Sequence, residues 1–124
     1  MRPLALLMTA ALLALGATPA PAAEPMEDYG TAVLQALDKV TARVRALEVP
    51  VGTSARFGAL SVTVRACKKN PPIEAPESAA FLEIDEVRPD EAPQPAFRGW
   101  MFASSPALSA MEHPVYDIWV VDCR

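Results

Sequence analysis

Residues 97–123 read FRGWMFASSPALSAMEHPVYDIWVVDC. This stretch, the aromatic block, holds both tryptophans, the only histidine and one of the two cysteines of the 124-residue chain. Each buried aromatic side chain removes roughly 150 to 250 Å² from water, so the block can supply much of the burial that so short a chain offers. We therefore expect the remaining segments to pack against it.

Both ends of the aromatic block have the two-residue period of β-strands. Residues 97–102 and 115–122 carry large side chains on both faces, which predicts a central strand for the first segment and a core strand for the second. Between them, Ser105 and Pro106 are typical of a helix N-cap and first helical position. The sequence therefore predicts a short helix over residues 107–112.

Two further segments have the clear alternation of half-buried strands. Residues 60–66 and 79–87 place apolar and polar side chains at alternate positions. Cys67 falls in phase with the polar side chains of the first of these strands. Either a bulge shifts the register near it, or it lies at the rim of the sheet. The proline-rich segments 68–77 and 89–95 are predicted surface loops.

Residues 31–47 fit both the helical period and the strand period. We expect a short helix or helical turn over residues 32–38, followed by a strand over residues 40–51, where β-branched side chains are denser. The chain then has five or six strands and one or two short helices. This count predicts a mainly β fold, either a small antiparallel sandwich or a partly open barrel.

Cys67 and Cys123 are the only cysteines. In an exported chain, an even pair is most simply a disulfide bond. Closing a loop of 56 residues stabilises a domain by roughly 4 kcal/mol in the chain-entropy model. Because the pair lacks the C-x-x-C spacing of redox sites, we interpret it as structural.

Residues 1–22 have the pattern of a cleavable signal peptide. Arg2 gives the charged start, residues 4–15 are an apolar run without charge, and a small-x-small motif precedes the expected cleavage point. The apolar run is too short to span a bilayer. We predict a periplasmic protein with no membrane insertion after cleavage, a flexible tail over residues 23–30 and a single domain over residues 31–124.

The formal net charge of −4 disfavours nucleic acid or anionic lipid as a general partner. The charges are segregated along the chain. Seven basic residues and one acidic residue lie from Lys39 to Lys69, whereas seven acidic residues and one basic residue lie from Glu74 to Glu91. Two interpretations stay open: complementary pairs on the solvent faces of neighbouring strands, or a surface that steers a charged partner.

No constellation of residues predicts a reaction. Ser105, His113 and Asp117 are the residue types of a nucleophilic triad, but the serine precedes a proline and lies outside a G-x-S-x-G elbow. Glu83 and Asp85 share a strand face, as acidic residues on any solvated strand do. One histidine and a bonded cysteine pair leave too few ligands for zinc, and the sequence has no cofactor motif. We predict that the protein is not an enzyme and binds no cofactor.

Aromatic and methionine side chains are enriched both in cores and at the centres of protein interfaces. Any exposed member of the aromatic block would therefore mark a docking surface. The candidate interface residues are Trp100, Met101, Phe102, His113, Tyr116 and Trp119.

Several sequence blocks are familiar, above all residues 99–106 (GWMFASSP) and 112–117 (EHPVYD). With them, nearly all of the chain after the signal peptide resembles a family of exported alphaproteobacterial proteins known as a domain of unknown function. The resemblance implies no catalytic residue, cofactor or substrate. Family members are often encoded beside an accessory subunit of the proton-pumping NADH:quinone oxidoreductase. The resemblance thus implies an accessory or assembly role on a respiratory membrane complex.

Taken together, these observations predict a non-enzymatic periplasmic interaction module that binds an envelope or inner-membrane protein complex such as NADH:quinone oxidoreductase. The alternative is a periplasmic domain that binds a small ligand or a cell-wall glycan, with Trp100 or Trp119 stacking on the ligand.

Overall fold

The computed structural model describes residues 15–19 and 24–124. Most of the predicted signal peptide lies outside these residues. The described part contains eight strands and no helix, and therefore no helix of the length and apolar character that a membrane span requires. The strands are β1 (Glu27–Asp28), β2 (Thr31–Asp38), β3 (Arg43–Pro50), β4 (Ser54–Phe57), β5 (Leu60–Lys69), β6 (Ser78–Glu86), β7 (Gln94–Phe102) and β8 (Tyr116–Cys123).

The strands form two antiparallel sheets. Sheet A has the order β1-β5-β6-β7, with β4 also paired to β5, and sheet B has the order β3-β2-β8. The prediction of a mainly β fold with antiparallel sheets is confirmed, as two open sheets rather than a closed barrel. The predicted short helices are wrong, and residues 24–124 contain eight strands instead of five or six.

The core lies between the inner faces of the two sheets. The predicted alternation is confirmed for Leu60, Val62 and Val64 of β5 and for Ala80, Leu82 and Ile84 of β6, which are fully buried, whereas Ala66 is only half-buried. Sheet B supplies the opposing side chains from all three of its strands. The fully buried members of largest volume are Leu34, Leu60, Leu82, Ile84, Val49, Val62, Val64 and Val120.

The disulfide bond between Cys67 and Cys123 joins the two sheets, because β5 belongs to sheet A and β8 to sheet B. Between Val64 and Ala66 the register of β5 against β6 shifts, so that one extra residue stands in β5. This bulge reverses the phase of the strand and turns Cys67 inward, where it is 1% exposed. Of the two alternatives that the sequence leaves open, the structure shows the bulge.

The helix expected over residues 32–38 is wrong, since this segment is β2. Its side chains Ala32, Leu34 and Ala36 alternate as a fully buried set. β2 is the middle strand of sheet B, paired on both sides along its whole length. The hydrogen bonds and burial of that position outweigh the helical propensity of an Ala- and Leu-rich segment.

The strand expected over residues 40–51 begins only at Arg43. Asp38 accepts the N–H groups of Val40 and Thr41 through Oδ1, at 2.9 and 3.2 Å, and this Asx turn ends β2. Ala42 completes the reversal with φ near +55°. Val40 is accordingly 76% exposed, although both periodicities predicted a buried position.

The predicted tail and the first proline-rich loop meet in an unpredicted strand pair. Glu27 and Asp28 form β1, which pairs with Lys69 and Lys68 at the end of β5. The ammonium of Lys68 lies 3.2 Å from the carboxylate of Asp28. The loop therefore begins at Asn70, two residues later than expected, because Lys68 and Lys69 pair with β6 on one side and with β1 on the other.

β7 was predicted to be central, but it is an edge strand of sheet A. It carries large side chains on both faces. Met101 points into the core, at 3% exposure, whereas Trp100 and Phe102 point outward and are exposed. Pro95 lies within β7, next to a register shift, which an edge strand tolerates better than a central one.

The loop between β7 and β8 contains turns and no helix. The N–H of Leu108 bonds to the C=O of Ser105 at 3.1 Å, which closes a single turn. The helix expected over residues 107–112 is therefore wrong. The segment between the two prolines has room for about two helical turns, which are unstable without strong packing. Met111 instead buries its side chain in the core, at 3% exposure.

A tyrosine closes the end of the sandwich opposite the disulfide. The hydroxyl of Tyr116 accepts the N–H of Ala59 at 3.2 Å, in the turn between β4 and β5. Its ring meets that of Phe57 edge to face, with centroids 5.9 Å apart. Gly58 has φ of +54°, and a Cβ there would lie 2.8 Å from Cζ of Tyr116. Only glycine fits both the backbone and the space.

We predict that Gly58→Ala destabilises the protein by roughly 1 kcal/mol for the left-handed backbone and by about 1 to 3 kcal/mol more for the clash with Tyr116. Gly52→Ala is the matched control, since Gly52 also has positive φ, +86°, but open space around it. Urea unfolding measures both variants. Equal losses for the two would contradict the close approach of Tyr116.

Candidate functional site

Three aromatic side chains, the aromatic patch, lie on the outer face of sheet A. Phe81 in β6 and Trp100 in β7 are paired residues, and their rings meet edge to face with centroids 5.5 Å apart. Phe102 follows two residues after Trp100 and therefore points to the same face. Trp100 is 38% exposed and Phe102 is 39% exposed. The patch is thus apolar surface next to an open sheet edge.

The six candidate interface residues do not form one surface. Met101 is in the core, His113 is nearly buried and Tyr116 is half-buried at the end of the sandwich. Trp119 is half-buried on β8 of sheet B, whereas Trp100 and Phe102 remain exposed on sheet A. Sequence reasoning missed Phe81 as a neighbour, although its outward phase in the strand was a usable signal.

Charged side chains border the aromatic patch. The carboxylate of Glu83 in β6 lies 2.8 Å from the guanidinium of Arg98 and 3.1 Å from that of Arg65. These residues stand on three neighbouring strands of sheet A. This cross-strand pairing is the arrangement expected of complementary charges on a solvent face.

His113 holds the start of β8 against the end of β6. Its Nδ1 accepts the N–H groups of Val115 and Tyr116 at 3.0 and 3.2 Å. Its Nε2 lies 3.2 Å from Oε2 of Glu86. Because Nδ1 accepts two hydrogen bonds, the network assigns the neutral tautomer that carries its proton on Nε2 and donates to Glu86.

Glu86 is held as a carboxylate by two neighbours. The guanidinium of Arg88 donates to Oε1 at 2.6 and 3.0 Å. This hydrogen bonding, followed by that from His113, lowers the pKa of Glu86 below its ordinary value of 4.5. The acidic partner of His113 is therefore Glu86, which the sequence alone did not single out.

The structure does not assemble the nucleophilic triad considered above. Both ring nitrogens of His113 are engaged, by Glu86 and by the main chain. Asp117 lies 3.2 Å from the ammonium of Lys39. Among residues 15–19 and 24–124, moreover, no three His, Cys, Asp or Glu side chains converge as metal ligands.

Comparison with protein families places the chain in one of them. A family model described as "Uncharacterized protein conserved in bacteria (DUF2155)" matches residues 32–123. The chain belongs to this family. The DUF2155 match begins in β2 and ends at the last cysteine, so it includes the disulfide bond between the two sheets and every strand except β1.

A curated relative is similar to this DUF2155 chain. It is an uncharacterized protein of Rickettsia prowazekii (strain Madrid E), 33% identical over 97 residues. The alignment covers 78% of this chain and 63% of the relative, so the chain spans less than two thirds of that protein's length. No solved structure matches the chain.

We predict that His113→Ala mainly destabilises the fold, by about 1 to 3 kcal/mol, because two main-chain N–H groups and the Glu86 carboxylate lose a partner. Glu112→Ala is the control at the neighbouring exposed position. Chemical denaturation followed by circular dichroism measures the difference. If the two variants were equally stable, His113 would have no role in holding β8.

Proposed function

We propose that this DUF2155 protein is a non-enzymatic interaction module of the bacterial periplasm, which docks on a larger envelope protein through the aromatic patch. One observation carries the proposal: Trp100 and Phe102 are both more than a third exposed, at alternate positions of an edge strand. Large aromatics that share one face and one edge are the side chains on which protein interfaces are centred.

The surroundings of the patch support a docking role. Arg98, Glu83 and Arg65 give it a polar border, as the rim of an interface has. Their ion pairs are exposed to solvent, so they contribute little to folding stability but can orient a partner. Met101, on the opposite face of β7, anchors the strand in the core and keeps the patch in a fixed position.

The sequence supports the proposed compartment and class of partner. The N-terminal segment has the signal-peptide pattern, and a disulfide bond persists in an oxidising compartment such as the periplasm. The resemblance to exported proteins encoded beside a subunit of NADH:quinone oxidoreductase makes that inner-membrane complex the first partner to test. An accessory or assembly subunit needs a docking surface and no chemistry of its own.

A cell-wall glycan is the second candidate, because the exposed ring of Trp100 is also a surface on which a sugar could stack. A measurement of tryptophan fluorescence distinguishes the two functions. If the protein binds glycans, muropeptides alone change the tryptophan fluorescence of the purified protein. If it docks only on a protein, muropeptides leave this fluorescence unchanged.

We predict that the double substitution Trp100→Ala and Phe102→Ser reduces recovery of the partner by at least roughly tenfold, because these aromatics would form the buried centre of the interface. The measurement is in-cell crosslinking of the tagged protein, followed by quantitative mass spectrometry of the respiratory complexes. Val44→Ser is the control, since Val44 is an apolar side chain exposed elsewhere.

Circular dichroism first establishes that both variants are folded. Undiminished recovery with the double variant would contradict the role of the aromatic patch. A wild-type protein that crosslinks to nothing would contradict the interaction module itself.

A further inference from the structure

Two cavities, of about 340 and 410 Å³, lie between β8 and the loop that follows β7, and the second also reaches the end of β5 and the start of β6. The two cavities together are called the cleft. The first is lined by Met111 from the loop and by Ile118 and Trp119 from β8. The second is lined by Ser104 from the loop and by Asp122 from β8. Neither cavity includes the aromatic patch, so the cleft is a separate surface.

β8 is the edge strand of sheet B, and part of its main chain faces away from β2. The C=O of Val115, just before β8, accepts the N–H of Lys39, just after β2, so the main-chain groups of Val115 face the β2 side. Main-chain groups alternate in direction along an antiparallel strand. Those of Tyr116, Ile118 and Val120 therefore face away from β2. The N–H of Tyr116 fits this phase, since it bonds to the ring of His113.

We propose that the cleft binds an extended segment of another protein, which adds to β8 as a further strand and places an apolar side chain in the first cavity and a basic side chain in the second. Strand addition to an exposed sheet edge is a common mode of peptide recognition, in which main-chain hydrogen bonds give affinity and side-chain pockets give specificity.

The first cavity is suited to an apolar anchor. Met111 and Ile118 form buried parts of its wall, and Trp119 adds a half-buried aromatic face. The charged lining residue, Asp117, is already paired with Lys39. A volume of about 340 Å³ holds a side chain as large as leucine or phenylalanine.

The second cavity is suited to a basic side chain because its lining carries two acidic residues and one basic residue, Glu77, Asp122 and Lys69. Lys69 lies 2.9 Å from Oδ1 of Asp122. Hydrogen bonding from Lys69 lowers the pKa of Asp122 below its ordinary value of 3.8, so the carboxylate is ionised at neutral pH. Glu77 is fixed by the N–H groups of Ser78 and Ser104, at 3.0 and 3.1 Å. One negative charge is left in excess.

The spacing of the cavities defines the ligand further. Ile118 and Asp122 are four residues apart, but Val121 is a bulge between them, since Leu34 pairs with Val120 and Val33 with Asp122. Two residues of a bulged strand stand opposite one residue of its neighbour. The segment that fits is therefore apolar and basic at positions three or four apart, in either chain direction.

The test begins with a random heptapeptide library displayed on phage and selected on the full-length oxidised protein. We expect enrichment of sequences with an apolar and a basic residue three or four positions apart. The enriched peptides are then synthesised. Ala110→Trp introduces a large side chain at the wall of the first cavity and should weaken the binding of these peptides by roughly tenfold or more. Leu108→Trp is the matched control, because Leu108 is on the same loop and 86% exposed.

Amide hydrogen exchange, followed by NMR, locates the bound peptide. Strand addition predicts slower exchange for Ile118 and Val120 and little change in β3, on the far edge of sheet B. The proposal is overturned if no peptide is enriched, if Ala110→Trp leaves binding unchanged, or if protection appears on β7 instead. Sedimentation of the free protein as a dimer that the peptide does not dissociate would also overturn it, since a second copy would then occupy the edge.

Discussion

The covalent bond between Cys67 and Cys123 is the constraint on which the rest of the structure depends. Sheet B has three strands and buries one face, so it is stable only while it is held against sheet A. The bond crosses the core between the two sheets, and a bulge in β5 aligns one sulfur with the other. The bond thereby keeps the two sheets packed against each other, although the core of so short a chain is small.

The opposite end of the sandwich is closed without a covalent bond. Tyr116 lies over Gly58, and His113 joins the start of β8 to Glu86 at the end of β6. The side that contains β7 and β8 remains open, since both are edge strands and one loop passes between them. The aromatic patch and the cleft both lie on these strands. The surfaces proposed for binding are thus found where the fold leaves apolar groups and main-chain groups free.

Strong local patterns predicted the strands that are buried on one face. The alternation sufficed for residues 60–64 and 80–84, because each strand lies in sheet A with one face in the core, but it did not reveal the bulge that follows Val64. Residues 32–38 were assigned wrongly because their helical propensity is local, whereas pairing on both sides is a property of the whole sheet. The exposure of Trp100 could not be predicted for the same reason: bulk on both faces of a strand does not tell a central position from an edge. The partner of His113 is likewise set by contacts between distant segments.

The free energy of unfolding of the double substitution Cys67→Ser and Cys123→Ser, measured in urea against the oxidised protein, tests the central claim most directly. If the bond between the sheets maintains the fold, the substitution lowers that free energy by roughly 4 kcal/mol or prevents folding. A variant that is folded and as stable as the oxidised protein would contradict the account.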